Sequence, residues 1–127
     1  MTRALSAVTF GLALLLLLLQ AALSVRGLVT PGASAASFGV PVEDPAALVY
    51  QLVYRSRNLV IAATGLVFLF AGMWRALAIM TTAAIALPVF DILFLKAASI
   101  PVAAVHPATL VALVILAGLL WARVRLT

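Results

Sequence analysis

No cysteine occurs in this chain of 127 residues, and histidine occurs once. The first absence excludes disulfides, thiolate nucleophiles and cysteine-held iron–sulfur clusters. The second excludes bis-histidine haem and histidine-rich metal sites. Acids are nearly as scarce: Glu43, Asp44 and Asp91 stand against eight Lys and Arg, for a net charge of +5. Charged residues are 9% of the chain, where soluble domains carry about 25%. Hydrophobic residues reach 67% and the mean hydropathy is +1.32, so a soluble globular domain is excluded. In a soluble protein the positive balance would suggest nucleic acid. Here the cations flank apolar runs and read as determinants of membrane topology, so no nucleic-acid partner is expected. No Gly-rich phosphate loop and no nucleophile motif is present, which leaves nucleotide use and covalent acyl transfer unsupported.

What remains is long apolar runs. A membrane helix needs about 20 such residues to cross the hydrocarbon. The sequence predicts one all-α domain, an integral membrane bundle of four transmembrane helices over residues 4–25, 45–73, 75–98 and 107–122. The first run is longer than the apolar region of an export signal, so a retained span is expected. Residues 26–44, with Gly27, Pro31, Gly32, Gly39 and Pro41, read as the one long loop, on the non-cytoplasmic side. Asp44-Pro45 marks a helix start, and Pro88 is expected to kink the third span. Arg3, Arg75, Arg123 and Arg125 fall at one end of the spans, which places both termini in the cytoplasm.

The polar residues inside the spans converge in height. Spans two and three join through a tight turn at Trp74; Arg57 precedes it by 17 residues and Asp91 follows it by 17. Both therefore lie about 25 Å from the inner face, near the outer boundary of the hydrocarbon. His106 precedes Trp121 by 15 residues, and Gln20 follows Arg3 by 17, which brings them to the same level. A charge in the hydrocarbon is costly unless paired, so an inward Arg57–Asp91 ion pair is expected, its register role alone sufficing as a structural explanation. Tyr50, Tyr54, Arg57 and Ile61 form one stripe of the second helix, with Gln51, Arg55 and Asn58 on the neighbouring one. Each also has a plainer role. His106 suits a helix entry, Arg55 and Lys96 suit snorkelling, and Tyr50 and Tyr54 suit interfacial anchors.

Phe38-Gly39-Val40-Pro41, Arg57-Asn58-Leu59, Arg75-Ala76-Leu77, Asp91 and His106 come in an order and spacing that resembles domain-of-unknown-function family 4267, compact four-helix membrane proteins of bacteria and fungi. The similarity runs from about Ala4 to Leu126. Asn58 matches the acid or amide that the family places after its helix-two arginine; Ala62 and Ala63 stand where it favours glycine. The resemblance implies the fold and points to Arg57, Asp91 and His106, without an activity.

These residues suggest a site for a lipid or lipophilic small molecule near the outer leaflet. Asp91 is the expected base, His106 the proton shuttle and Arg57 the electrophilic clamp, with Arg55, Asn58, Tyr54, Tyr50 and Gln20 as ligand contacts. Isomerisation, cyclisation or epoxide opening would suit them without a cofactor. A metal is disfavoured by the adjacent arginine and the single histidine. The competing expectations are an accessory or assembly subunit in which the Arg–Asp pair is structural and, further off, a small transporter. Self-association into a homo-oligomer is left open.

Overall fold

The computed structural model describes residues 3–126. It is helical throughout: α1 (Arg3–Val29), α2 (Pro31–Phe38), α3 (Pro45–Phe70), α4 (Trp74–Ala84), α5 (Ala86–Ala97) and α6 (Val105–Leu126). Four units are long and apolar enough to cross a membrane: α1, α3, α4 with α5 as one interrupted span over Trp74–Ala97, and α6. Their circumference is rich in exposed large apolar side chains, among them Val29, Val60, Val67, Phe70 and Phe94. That pattern suits hydrocarbon as solvent, where helices associate through close packing rather than by escaping water.

The ends of the helices follow from local chemistry. Asp44 caps α3, its carboxylate accepting from the Ala47 N–H at 3.1 Å, and Pro45 fills the first turn, where a missing N–H costs nothing. Gly72, at φ +68°, ends α3: its N–H reaches the Leu69 carbonyl at 3.2 Å and that of Met73 reaches Phe68 at 2.8 Å. This paired closure needs a left-handed residue, which glycine adopts without a Cβ clash. It produces the tight connection expected at Trp74. The third span is interrupted at Ile85, three residues before Pro88, where the ring removes a donor and crowds the preceding turn.

The expected loop over residues 26–44 is largely helical instead. α1 continues to Val29, and α2 occupies residues 31–38, leaving only Thr30 and residues 39–44 without helix. Pro31 and Gly39 bracket α2 as a first-turn proline and a left-handed C-terminal glycine at φ +101°. Between them lies Ala33-Ser34-Ala35-Ala36-Ser37, a run that accepts helix readily. The same two residues that suggest a loop are therefore the punctuation of a short helix.

α1 packs on α3 along one side and on α6 along another, while α6 also holds α4 and α5. The core at the end that carries the α3–α4 turn is Ala13, Leu69, Leu77, Ala78, Leu116 and Leu120. At that end the Arg123 guanidinium stacks 3.7 Å from the Trp74 ring, Phe10 meets Trp74 edge-on, and Trp121 donates to Thr82 at 2.9 Å. Small residues set the approach of α3: a Cβ on Gly65 would collide with Leu17 and Met80. Beyond that level α3 stays with α1 and α2 and makes little contact with α5.

Candidate functional site

The buried residues of α3 are Arg55, Asn58, Ala62, Gly65 and Leu69, spaced three and four apart. That heptad spacing is the inward seam of a packed helix, and its alanine and glycine let α1 come close. It carries Arg55 and Asn58 inward and sends Arg57, about 200° around from Arg55, outward. Arg57 is exposed, and it does not pair with Asp91. The expected Arg57–Asp91 bridge is thus replaced by another. Height along the helix is the same for neighbouring residues to within a turn, so equal heights left the facing direction open.

Asp91 faces His106, with Oδ2 3.4 Å from Nδ1. The other ring nitrogen, Nε2, lies 2.9 Å from the carbonyl oxygen of Phe38, and the Phe38 and His106 rings meet edge-on at 4.4 Å. A carbonyl only accepts, so Nε2 carries the hydrogen. Nδ1 then faces a carboxyl oxygen, and the contact is attractive only with a proton between the two groups. With a proton between them the pair carries no net charge, whether written as imidazolium with carboxylate or as imidazole with carboxylic acid. His106 is 3% exposed and Asp91 30%, so the histidine is enclosed while the carboxyl opens to one side.

That side is a cavity of about 480 Å³, within the range that takes small organic ligands. α1 lines it with Leu16 and Gln20, α2 with Ser34 and Phe38, and α3 with Tyr54, Arg55, Asn58 and Ala62. Thr81, Pro88 and Asp91 close the opposite wall, and His106, Thr109 and Ala112 the back. The walls are mainly apolar, and the polar groups gather towards the end away from the α3–α4 turn. Gln20, Tyr54, Arg55, Asn58, Asp91 and His106 therefore share one cavity, as their heights suggest. Arg57 and Tyr50 do not line it; Tyr50 is 78% exposed, on the outward stripe it shares with Arg57. Lys96 is exposed as well.

Arg55 is the buried cation of the site, 8% exposed. Its side chain runs flat across Gly27, so closely that a Cβ there would collide with Cγ, Cδ and Nε. The guanidinium sits 5.1 Å from the Tyr54 ring centroid, and Nε, fully buried, donates to nothing. Tyr54 in turn packs edge-on against Phe38 at 5.8 Å. Two contributors are invisible to motif reading: the backbone carbonyl of Phe38, which has no side-chain signature, and Gly27, whose role is an empty space. Among the described residues no three His, Asp or Glu side chains gather as a metal-binding group.

This arrangement can do two things chemically. Apolar walls with a polar end receive an amphiphilic molecule in one orientation. A carboxyl group that shares a proton with an enclosed imidazole can deliver that proton and take one back. Both histidine nitrogens are engaged, so Asp91 is the member of the pair that is open to the cavity.

The family model described as Domain of unknown function (DUF4267) matches residues 18–120, most of the chain and all of the cavity-lining groups just described except Leu16. No curated protein and no solved structure matches the chain.

Proposed function

The chain belongs to this family, and we propose that it is a small membrane protein that binds a lipophilic small molecule in the cavity between α3 and α5 and moves a proton on it through Asp91. The observation that carries the reading is the half-open carboxyl of Asp91, held by an enclosed His106 at the polar end of an otherwise apolar cavity. The scarcity of contact between α3 and α5 supports entry from the side, the direction from which a membrane-dissolved molecule arrives. In the proposed cycle the dyad donates one proton to an oxygen or a double bond of the ligand. The carboxylate then removes a proton from a neighbouring carbon. Nothing is consumed, so the net change is an isomerisation or a cyclisation, and no cofactor is required. Opening an epoxide to an allylic alcohol balances in the same way.

In this reading both termini are cytoplasmic and the polar end of the cavity lies in the outer half of the bilayer. What supports it is the gathering of Arg3, the α3–α4 turn with Arg75, and the end of α6 with Arg123 and Arg125 at one end of the bundle.

A photoreactive, clickable long-chain probe added to membranes containing the protein tests the site. Labelling of Leu16 and Thr81, which face the cavity, is expected, together with its loss in Ala84→Phe, which fills it. Labelling confined to outward residues such as Val67 and Val114 would overturn the proposal.

A further inference from the structure

Arg55 poses a question of charge. A guanidinium keeps its proton at every accessible pH, has only donors to offer, and is expensive to bury without an acceptor. Arg55 is more than nine-tenths buried, lines the cavity, and makes no hydrogen bond or ion pair among the described residues; its one partner is the face of Tyr54. The acids of the chain are all otherwise placed. Asp44 caps α3, Glu43 is exposed beside it before that helix, and Asp91 is turned to His106. At the rim of the same cavity stands a second arginine, Arg26, exposed. Two guanidiniums thus border a cavity whose single carboxyl is already turned to a histidine.

We infer that the cavity takes an amphiphile whose headgroup is an anionic oxygen group, a carboxylate or a phosphate monoester, with Arg55 as its principal ligand. The inference rests on the reading of the cavity as a lipophile site and names the class of molecule that fills it. The planar fork of Arg55 can hold two oxygens at once, and Gly27 leaves it room to lie flat beside the cavity that it lines. The headgroup supplies the acceptor that the protein withholds, and the chain extends along the apolar wall towards Leu16, Ala62 and Ala112. Asp91 is turned to His106 at 3.4 Å, and a proton held between the two leaves that pair without net charge to repel the headgroup. Arg26 closes over the outer side of the headgroup, where water still reaches.

The test uses the purified full chain in a neutral detergent, with dodecanoate, dodecyl phosphate, dodecanol and dodecylammonium compared by the thermal protection each confers across a concentration series. These share one chain and differ only in the head. At least one of the two anions should bind about tenfold or more tightly than dodecanol, as a charge-assisted hydrogen bond to a buried arginine implies, and dodecylammonium should be weakest. The tighter of the two anions assigns the headgroup. Arg55→Gln should erase the preference for anions, Arg55→Lys should keep part of it, and Arg57→Gln should keep all of it. Equal binding of dodecanol and both anions would overturn the anionic headgroup while leaving a lipophile site standing. Protection by none of the four would remove the lipophile reading with it. The comparison on the unaltered chain is decisive even where Arg55→Gln does not fold.

Discussion

Phe38 and His106 are 68 residues apart in sequence, yet the carbonyl oxygen of one accepts from the ring of the other at 2.9 Å. This contact fastens the C-terminus of α2 to the start of α6. It also fixes which ring nitrogen carries hydrogen, and so turns Nδ1 towards Asp91. Because the chain has a single histidine, selective ¹⁵N labelling gives one imidazole spectrum without any assignment step. Nε2 is expected to be protonated whenever the protein is folded. A ring protonated on Nδ1 alone would contradict the geometry.

Removing that ring strands a buried acceptor and releases α2. His106→Ala is expected to cost about 1–3 kcal/mol, the penalty of leaving a buried polar group unpaired. The check is the midpoint of thermal unfolding in detergent. An unchanged midpoint would mean that the contact does not hold the two helices together.

Three helices end on a left-handed residue, and only two of these residues are glycine. Gly39 and Gly72 take φ +101° and +68°; after α5 the position belongs to Ser99, at φ +58°. Ser99 makes the same pair of closing bonds, its N–H to Lys96 at 3.0 Å and that of Ile100 to Leu95 at 2.9 Å. Ser99→Gly should stabilise the protein by about 1 kcal/mol by removing the Cβ clash, and Gly39→Ala or Gly72→Ala should destabilise by about 1–2 kcal/mol. Unfolding midpoints in the opposite order would rule out this account of the caps.

Much of this was legible in the sequence. The four spans, the Asp44-Pro45 start, the turn before Trp74 and the interruption ahead of Pro88 follow from hydropathy and the chemistry of proline and glycine. The meeting of Gln20, Asp91 and His106 at one level follows from counting residues along helices. The choice of Arg57 over Arg55 failed because counting fixes height and not direction. The spacing Arg55, Asn58, Ala62, Gly65, Leu69 was the available signal of direction, since a seam of small residues marks where another helix lies. α2 was hidden because its bounding proline and glycine also punctuate loops. The Phe38 carbonyl was not legible at all, being a backbone group placed by tertiary structure.

Gly27 is the space into which Arg55 folds, so the two should be coupled energetically. Gly27→Ala is expected to displace the arginine and to lower both stability and amphiphile binding. In an Arg55→Ala background, where the obstructing side chain is gone, Gly27→Ala should cost little further stability. A double-mutant cycle should give a coupling of about 0.5–3 kcal/mol, as contacting residues do. Additive effects would separate Gly27 from the site.

Reporter fusions at the two termini address the proposed orientation. Both should indicate the cytoplasm, since Arg3, Arg75, Arg123 and Arg125 gather at that end. Reporters on opposite sides would require an odd number of spans.

The central claim is that the cavity beside Asp91 and His106 holds a lipophilic molecule. Native mass spectrometry of the protein released from detergent tests it most directly, with wild type, Ala84→Phe and Asp91→Asn prepared from the same membranes. The wild type is expected to carry one additional small molecule, absent from the cavity-filling Ala84→Phe, and Asp91→Asn is expected to retain it unconverted. Equal occupancy in wild type and a folded Ala84→Phe, or no bound molecule in either, would contradict the account.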